Sequence, residues 1–285
     1  MTSRRDLLAL LAGGAASPAL AAEPAAVARI RAAESEVGGR IGVAALDTGS
    51  GRRLAYRAHE RFAMCSTFKT MAAAAILHRV DTACESLDRR IVFHKADLKS
   101  WSPVTEKHVD EGMTLEGLCA AAIGYSDNTA GNMLIAALGG PQGVTGYLRS
   151  IGDRVTRLDR WETELNDVGP GDLRDTTTPA AMQENLRKLV LGKTLSPASR
   201  DRLGGWMLAC KTGDERLRAG VPKDWRVADK TGTGPRGGGA NDIAVIWPPG
   251  RAAIIVSVYT MGSAKDGDQR SATIARIGGI LAETL

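Results

Sequence analysis

Apolar residues gather in short runs near both ends of the chain and recur at helical spacing through its middle. Residues 24–37, "PAAVARIRAAESEV", predict a first helix stopped by Gly38-Gly39. "IGVAALD" (41–47) reads as a strand, "TGSG" as its turn and "RRLAYRA" (52–58) as the returning strand. Periodic apolar runs then begin near Ser66, Thr114, Asn128, Gln142, Pro179 and Pro197, which predicts a helical middle. Strands return as "WRVADKTG" (225–232), "NDIAVIW" (241–247) and "AAIIVSVYT" (252–260), and a last helix is expected from about Gln269 to Ala282. Strands joined by short turns pair antiparallel. The pattern thus predicts an α+β fold, an α/β sandwich whose five-stranded antiparallel sheet is flanked by the terminal helices. An all-helical lobe, 62–210, is inserted between strands two and three, and 23–61 with 211–285 form the sheet lobe. The seam between two such lobes is a natural place for a pocket.

The first 22 residues change the picture of where the protein works. "MTSRRDLLALLAGGAASPALAA" has a basic start, a modest apolar stretch and a small-residue end, so 1–22 is expected to be a cleaved export signal. Arg4-Arg5 followed by Leu7-Leu8 suits a twin-arginine signal, and an ordinary secretory signal fits as well. No later run reaches the ~18 consecutive apolar residues of a membrane span. The expected location is periplasmic or secreted, with no membrane attachment. The net charge of +5 is spread along the chain without a Lys/Arg block, which argues against nucleic acid and suits small anions. Cys65, Cys84, Cys119 and Cys210 allow three pairings and show no C-x-x-C spacing. The four histidines show no metal-ligand spacing, so neither zinc nor any other cofactor is expected.

Three short motifs carry chemistry. In "FAMCSTFKTMAAAAILHRV" (62–80), Ser66 stands three places before Lys69, on one helical face, at the mouth of an alanine-rich run. Apolar flanks imply burial, and a buried lysine needs a partner or a task, such as taking the serine proton. In "YSDNTAGN" (125–132), Ser126 offers a hydroxyl that can pass a proton and Asn128 an amide for a substrate carbonyl. Asp127 or Asn128 can also cap the next helix. Lys-Thr-Gly occurs twice, at 211–213 and 230–232. The second ends a strand and precedes a glycine turn, Gly237-Gly238-Gly239, and is assigned the chemistry; the first is read as a loop.

S-x-x-K, S-D-N and K-T-G in this order resemble the class A serine β-lactamases, over nearly the whole length after the signal. "DRWETELNDVGPGDLRDTT" (159–177) resembles that family's Ω-loop, with Arg160 and Asp175 able to pair and close residues 160–175. The resemblance implies hydrolysis of a β-lactam amide through an acyl-enzyme on Ser66, and hence antibiotic resistance. Lys69, or Glu162 through a water, would take the serine proton. Ser126 would protonate the ring nitrogen with Lys230 nearby. Glu162 with Asn166 would activate the deacylating water. The N–H groups of Ser66 and Thr233 would form the oxyanion hole, and Asn128, Lys230, Thr231 and Thr233 would bind the substrate. Arg216 would supply the carboxylate-binding arginine that some members carry near position 240, where this chain has Ala240. Trp101 would stand at the cleft entrance. A monomer without cofactor, acting on small β-lactams, is implied.

Two departures stand out. Thr163 replaces the proline often found after the loop glutamate, which leaves the geometry of that peptide open. Gly234 and Ala73 stand where partners of Cys65 and Cys119 occur in two branches of the family, so Cys65 is expected to be a buried free thiol. A D-alanyl-D-alanine carboxypeptidase or a non-hydrolysing β-lactam sensor shares the three motifs; Glu162 and Asn166 weigh against the first, and the absence of an evident anchor after the expected signal weighs against the second.

Overall fold

A computed structural model describes residues 24–235 and 238–285. The expected signal, 1–22, lies outside the described residues, as does Gly237 of the glycine turn. Helix α1 (Ala25–Val37) ends at Gly38, whose φ of 63° needs a residue without Cβ strain. Strands β1 (Arg40–Asp47) and β2 (Arg53–Tyr56) follow. Buried Glu34 on α1 accepts from the Ile41 N–H, the Tyr56 hydroxyl and the Arg57 guanidinium, which fastens the helix to this hairpin.

The middle is helical, as its periodicity predicts: α2 (Phe68–Asp81), α3 (Leu115–Gly124), α4 (Asn128–Ala137), α5 (Pro141–Ser150), α6 (Pro179–Leu186) and α7 (Pro197–Leu208); a short α8 (Leu217–Gly220), which the pattern did not indicate, follows. Helix α2 is buried on all sides from Phe68 to Leu77. Its alanines are small enough for α3, α4, α5 and α7 to pack around it. Burial of Phe68, Met71, Ile76 and Leu77 contributes roughly 1.5–3 kcal/mol each. Strands β3 (Arg226–Thr233), β4 (Ala240–Trp247) and β5 (Ile254–Met261) then complete the sheet, and α9 (Gly267–Thr284) closes the chain.

The sheet runs β2-β1-β5-β4-β3, antiparallel throughout. Its central strands are covered on both faces, which explains their nearly unbroken apolar character. Val43, Ala244, Ile246 and Val256 pack towards α1 and α9. Ala228, Ile243, Val245 and Tyr259 pack towards the helical lobe. The α+β architecture expected from the pattern is the one observed. Two small ladders were not foreseen: Phe62-Ala63 pairs with Thr176-Thr177, and Arg90-Ile91 with Met113-Thr114. Two residues are too few to display a strand's alternation. The first ladder matters, because it draws the segment before Ser66 against the end of the loop that carries Glu162.

Candidate active site

Ser66 lies in a 3₁₀ turn, Cys65–Thr67, that leads directly into α2, so the helix proper starts two residues later than its pattern suggests. One turn on, Lys69 reaches back over the same face. Its Nζ lies 3.0 Å from Ser66 Oγ, 2.8 Å from the Ser126 carbonyl oxygen and 2.6 Å from Asn128 Oδ1. It also lies 3.0 Å from Glu162 Oε1, and both side chains are fully buried. Burial lowers the Lys69 pKa, while the Glu162 charge opposes that shift. Ser66 Oγ itself is 3.3 Å from Glu162 Oε1. Lys69 and Glu162 therefore flank one hydroxyl.

The Ω-loop closes as expected. Arg160 Nε donates to Asp175 Oδ2 at 2.6 Å, and Asp175 Oδ1 accepts from the Asp159 and Arg160 N–H groups. The Glu162–Thr163 peptide, left open by the sequence, is cis. Asn166 Nδ2 donates to Glu162 Oε2 at 2.7 Å, and its Oδ1 has no donor among the described residues. Sequence reasoning missed Asn132. Its amide brackets the Glu162 backbone, donating to the carbonyl at 3.0 Å and accepting from the N–H at 2.8 Å. The signal was present in "YSDNTAGN": Asn128 and Asn132 stand four apart, hence on one face of α4.

The second motif forms the turn before α4. Ser126 has φ 58°. Asp127 is the N-cap, accepting from the Ala130 N–H, and it also accepts from the Val104 and Thr105 N–H groups. Asn128 Nδ2 donates to the Ser100 carbonyl, so both ends of its amide are engaged. Cys65, Trp101, Ser126 and Asp175 are non-glycine residues at positive φ, a conformation costing ~1–3 kcal/mol that persists where surroundings dictate it. Three of them border the cleft or flank its nucleophile, and the fourth anchors the Ω-loop.

On the opposite wall, edge strand β3 carries Lys230, whose Nζ lies 3.0 Å from Ser126 Oγ. Burial lowers its pKa to about 8. Buried Arg216, just before α8, donates to the Gly232 and Asn241 carbonyls and, at 2.7 Å, to Thr233 Oγ1. The wall is placed by Asn241, whose Nδ2 donates to the Ala63 and Met64 carbonyls just upstream of Ser66. Together Ser66, Trp101, Ser126, Asn128, Asn166, Arg216, Thr231 and Thr233 line a cleft of about 370 Å³. Lys69, Glu162 and Lys230 lie beneath its floor. A larger open groove of about 820 Å³, beside Arg187 and Trp247, holds none of these residues.

The first Lys-Thr-Gly is a loop, as its sequence reads, and it borders the cleft. Thr212 lines the cleft and its Oγ1 lies 2.6 Å from Thr231 Oγ1. A Cβ on Gly213 would meet Asp229 Oδ2 at 1.7 Å, so this loop packs directly on β3. Trp101 is 64% exposed at the cleft mouth, with its indole N–H on the Tyr125 carbonyl. Cys65 is a buried free thiol, as expected, and burial pushes its pKa up to about 12.

A buried serine–lysine–glutamate cluster facing a lysine strand across one cleft defines a class of serine hydrolase, and comparison with known proteins places the chain within it. The β-lactamase enzyme family model matches residues 25–285. Beta-lactamase AST-1 of Nocardia asteroides is 50% identical over 262 residues, covering 91% of this chain and 84% of that enzyme. The carbapenem-hydrolyzing beta-lactamase KPC of Klebsiella oxytoca is 50% identical over 252 residues, 88% of this chain and 86% of that enzyme. Among solved structures, the ancestral (GNCA) class A β-lactamase is 61% identical with a TM-score of 0.89, covering 91% of this chain and all of that one. A putative class A enzyme, PenP from Rhodopseudomonas palustris, is 54% identical with a TM-score of 0.90, covering 92% of this chain and 100% of that one. The chain belongs to the β-lactamase enzyme family, among its class A members.

Proposed function

We propose that this β-lactamase hydrolyses the β-lactam amide in two steps, with the roles set by the cluster around Ser66. Ser66 Oγ attacks the lactam carbonyl. Its proton passes to Lys69, 3.0 Å away, or to Glu162 through a water. The N–H groups of Ser66 and Thr233 hold the developing oxyanion, a contribution typically worth ~10²–10³ in rate. Ser126 protonates the departing nitrogen and is resupplied through Lys230, which touches it. Asn128, Lys230, Thr231, Thr233 and Arg216 bind the substrate, and Trp101 borders its entry.

Deacylation distinguishes a hydrolase from a trapped target. Glu162 removes a proton from water, Asn166 orients that water, and the hydroxide cleaves the ester. The observation that carries this reading is the Glu162 carboxylate fixed 3.3 Å from Ser66 Oγ, with its backbone bracketed by Asn132. The free Asn166 Oδ1 is an acceptor suited to a water there. The site lies at the seam between the helical lobe, 62–210, and the sheet lobe, 23–61 with 211–285. The protein acts as an exported monomer on small β-lactams in the periplasm or outside the cell, conferring resistance. No described helix is long and apolar enough to cross a membrane.

The test is direct. Purified protein is mixed with a chromogenic cephalosporin, and colour and covalent mass are followed together. Continuous turnover is expected; a single burst followed by a persistent adduct would identify a sensor or peptidase instead.

A further inference from the structure

The chemistry above uses Lys230, Thr231 and Thr233 on β3 but not the acids beside them. Asp229 precedes Lys230, and Asp242 on β4 stands opposite Thr231. Both belong to the sheet face that carries Val227, Ala244 and Ile246, and both are fully buried. Asp229 pairs with Ala244, two places from Asp242, so the two acids are diagonal neighbours on one face. Two buried carboxylates so placed do not both stay ionised.

Their hydrogen bonds show where a proton is needed. Asp229 Oδ1 accepts from the Arg218 guanidinium, which Asp214 shares. Asp242 Oδ2 accepts from the Leu217 N–H at 3.1 Å. The second oxygen of each, Asp229 Oδ2 and Asp242 Oδ1, has no donor among the described residues. A buried acceptor without a donor is costly, and one proton between the acids satisfies both. Burial and the Asp229 charge push the Asp242 carboxyl well above the ordinary range, against the pull of Arg216 and Lys230. Burial raises Asp229 too, against Arg218, the neighbouring Cys210 and Lys230. Arg270 on α9 adds positive charge beside Arg216.

Arg216 feels the consequence. Its guanidinium donates to the Gly232 and Asn241 carbonyls and to the Thr233 and Ser271 hydroxyls, all neutral acceptors. An ionised Asp242 would compete for its charge.

We propose that Asp229 and Asp242 share one proton, held on Asp242 and donated to Asp229, and that this keeps the Arg216 charge available to the carboxylate of a β-lactam in the cleft. Asp229 and Asp242 act through Arg216 and are positioning residues. The second half rests on the cleft being the β-lactam site; the first half does not.

Two measurements separate the halves. In protein labelled with ¹³C at its aspartate carboxyls, NMR titration should find one group, identified by its loss in Asp242→Asn, still protonated at neutral pH. Ordinary ionisation of Asp242 there overturns the proposal, whether or not the protein turns over substrate. Steady-state kinetics then compares an anionic cephalosporin with its neutral methyl ester. Asp229→Asn removes the acceptor and lets Asp242 ionise against Arg216, raising KM for the anion about tenfold, the weight of one charge-assisted contact, and sparing the ester. Adding Asp242→Asn to that variant should restore the KM. A double variant that binds the anion as weakly as Asp229→Asn, or equal losses for anion and ester, would overturn the link to Arg216. Absence of hydrolysis by the unsubstituted protein, with Asp242 still protonated, would overturn the reading of the cleft while supporting the shared proton.

Discussion

Two lysines with no exposed surface face each other across Ser126, and desolvation lowers the pKa of both. Lys69 keeps a carboxylate partner in Glu162, whereas the hydrogen bonds of Lys230 among the described residues go to the Ser126 hydroxyl and the Thr231 carbonyl. The difference has a measurable sign. A lysine lowered to about 8 is cationic below that pH and neutral above it. Attraction for an anionic substrate is then complete in acid and lost as pH rises through about 8. We predict an alkaline fall in kcat/KM near pH 8, since that ratio follows the free enzyme's ionisations. Lys230→Arg, whose guanidinium stays charged throughout, should remove this limb from the pH profile whatever its effect on the maximum. An unchanged limb in that variant would assign it to another group.

At the scale of elements, the Ω-loop holds Glu162 by two independent ties, the Arg160–Asp175 pair at its neck and the Asn132 amide on the Glu162 backbone. Arg160→Ala would leave the buried Asp175 carboxylate with only backbone donors. Breaking such a pair costs about 3 kcal/mol, the low end of the usual range because two N–H contacts remain. Denaturant unfolding should show that loss, and deacylation should slow more than acylation. The neck was legible because 159–177 resembles the family's Ω-loop, which marks Arg160 and Asp175 as the pair that closes it. The Asn132 tie was not, since an asparagine inside a helix looks like any other polar position until its partner is known. For the same reason Thr212 went unread: its loop lies next to β3 only after the chain folds. Long elements were legible almost to the residue, as with α4 beginning at Asn128. Two-residue ladders were not, because they have no period.

For the whole molecule, function depends on how the helical lobe meets the edge of the sheet. Ser66 and Lys69 belong to one side, and Lys230, Thr231 and Thr233 to the other. Asn241 spans the seam, giving its amide hydrogens to the Ala63 and Met64 carbonyls, and Tyr259 joins it at 3.1 Å from Thr67 Oγ1. We predict that Asn241→Ala, which takes a donor from the Ala63 carbonyl at a buried seam and leaves the Met64 carbonyl to Thr67, lowers stability by about 1–3 kcal/mol and lowers kcat. Thermal unfolding and initial rates check both, and unaltered kcat in a destabilised protein would show that the seam does not set the site. The same seam, with the Ω-loop folded over it, brings Glu162 to Ser66. Intact-mass spectrometry of Glu162→Ala mixed with a penicillin measures that arrangement most directly. The arrangement predicts a lasting adduct equal to the whole antibiotic, on a protein that clears it within its turnover time when Glu162 is present. Prompt release of hydrolysed antibiotic by the variant, with no adduct on Ser66, would contradict it.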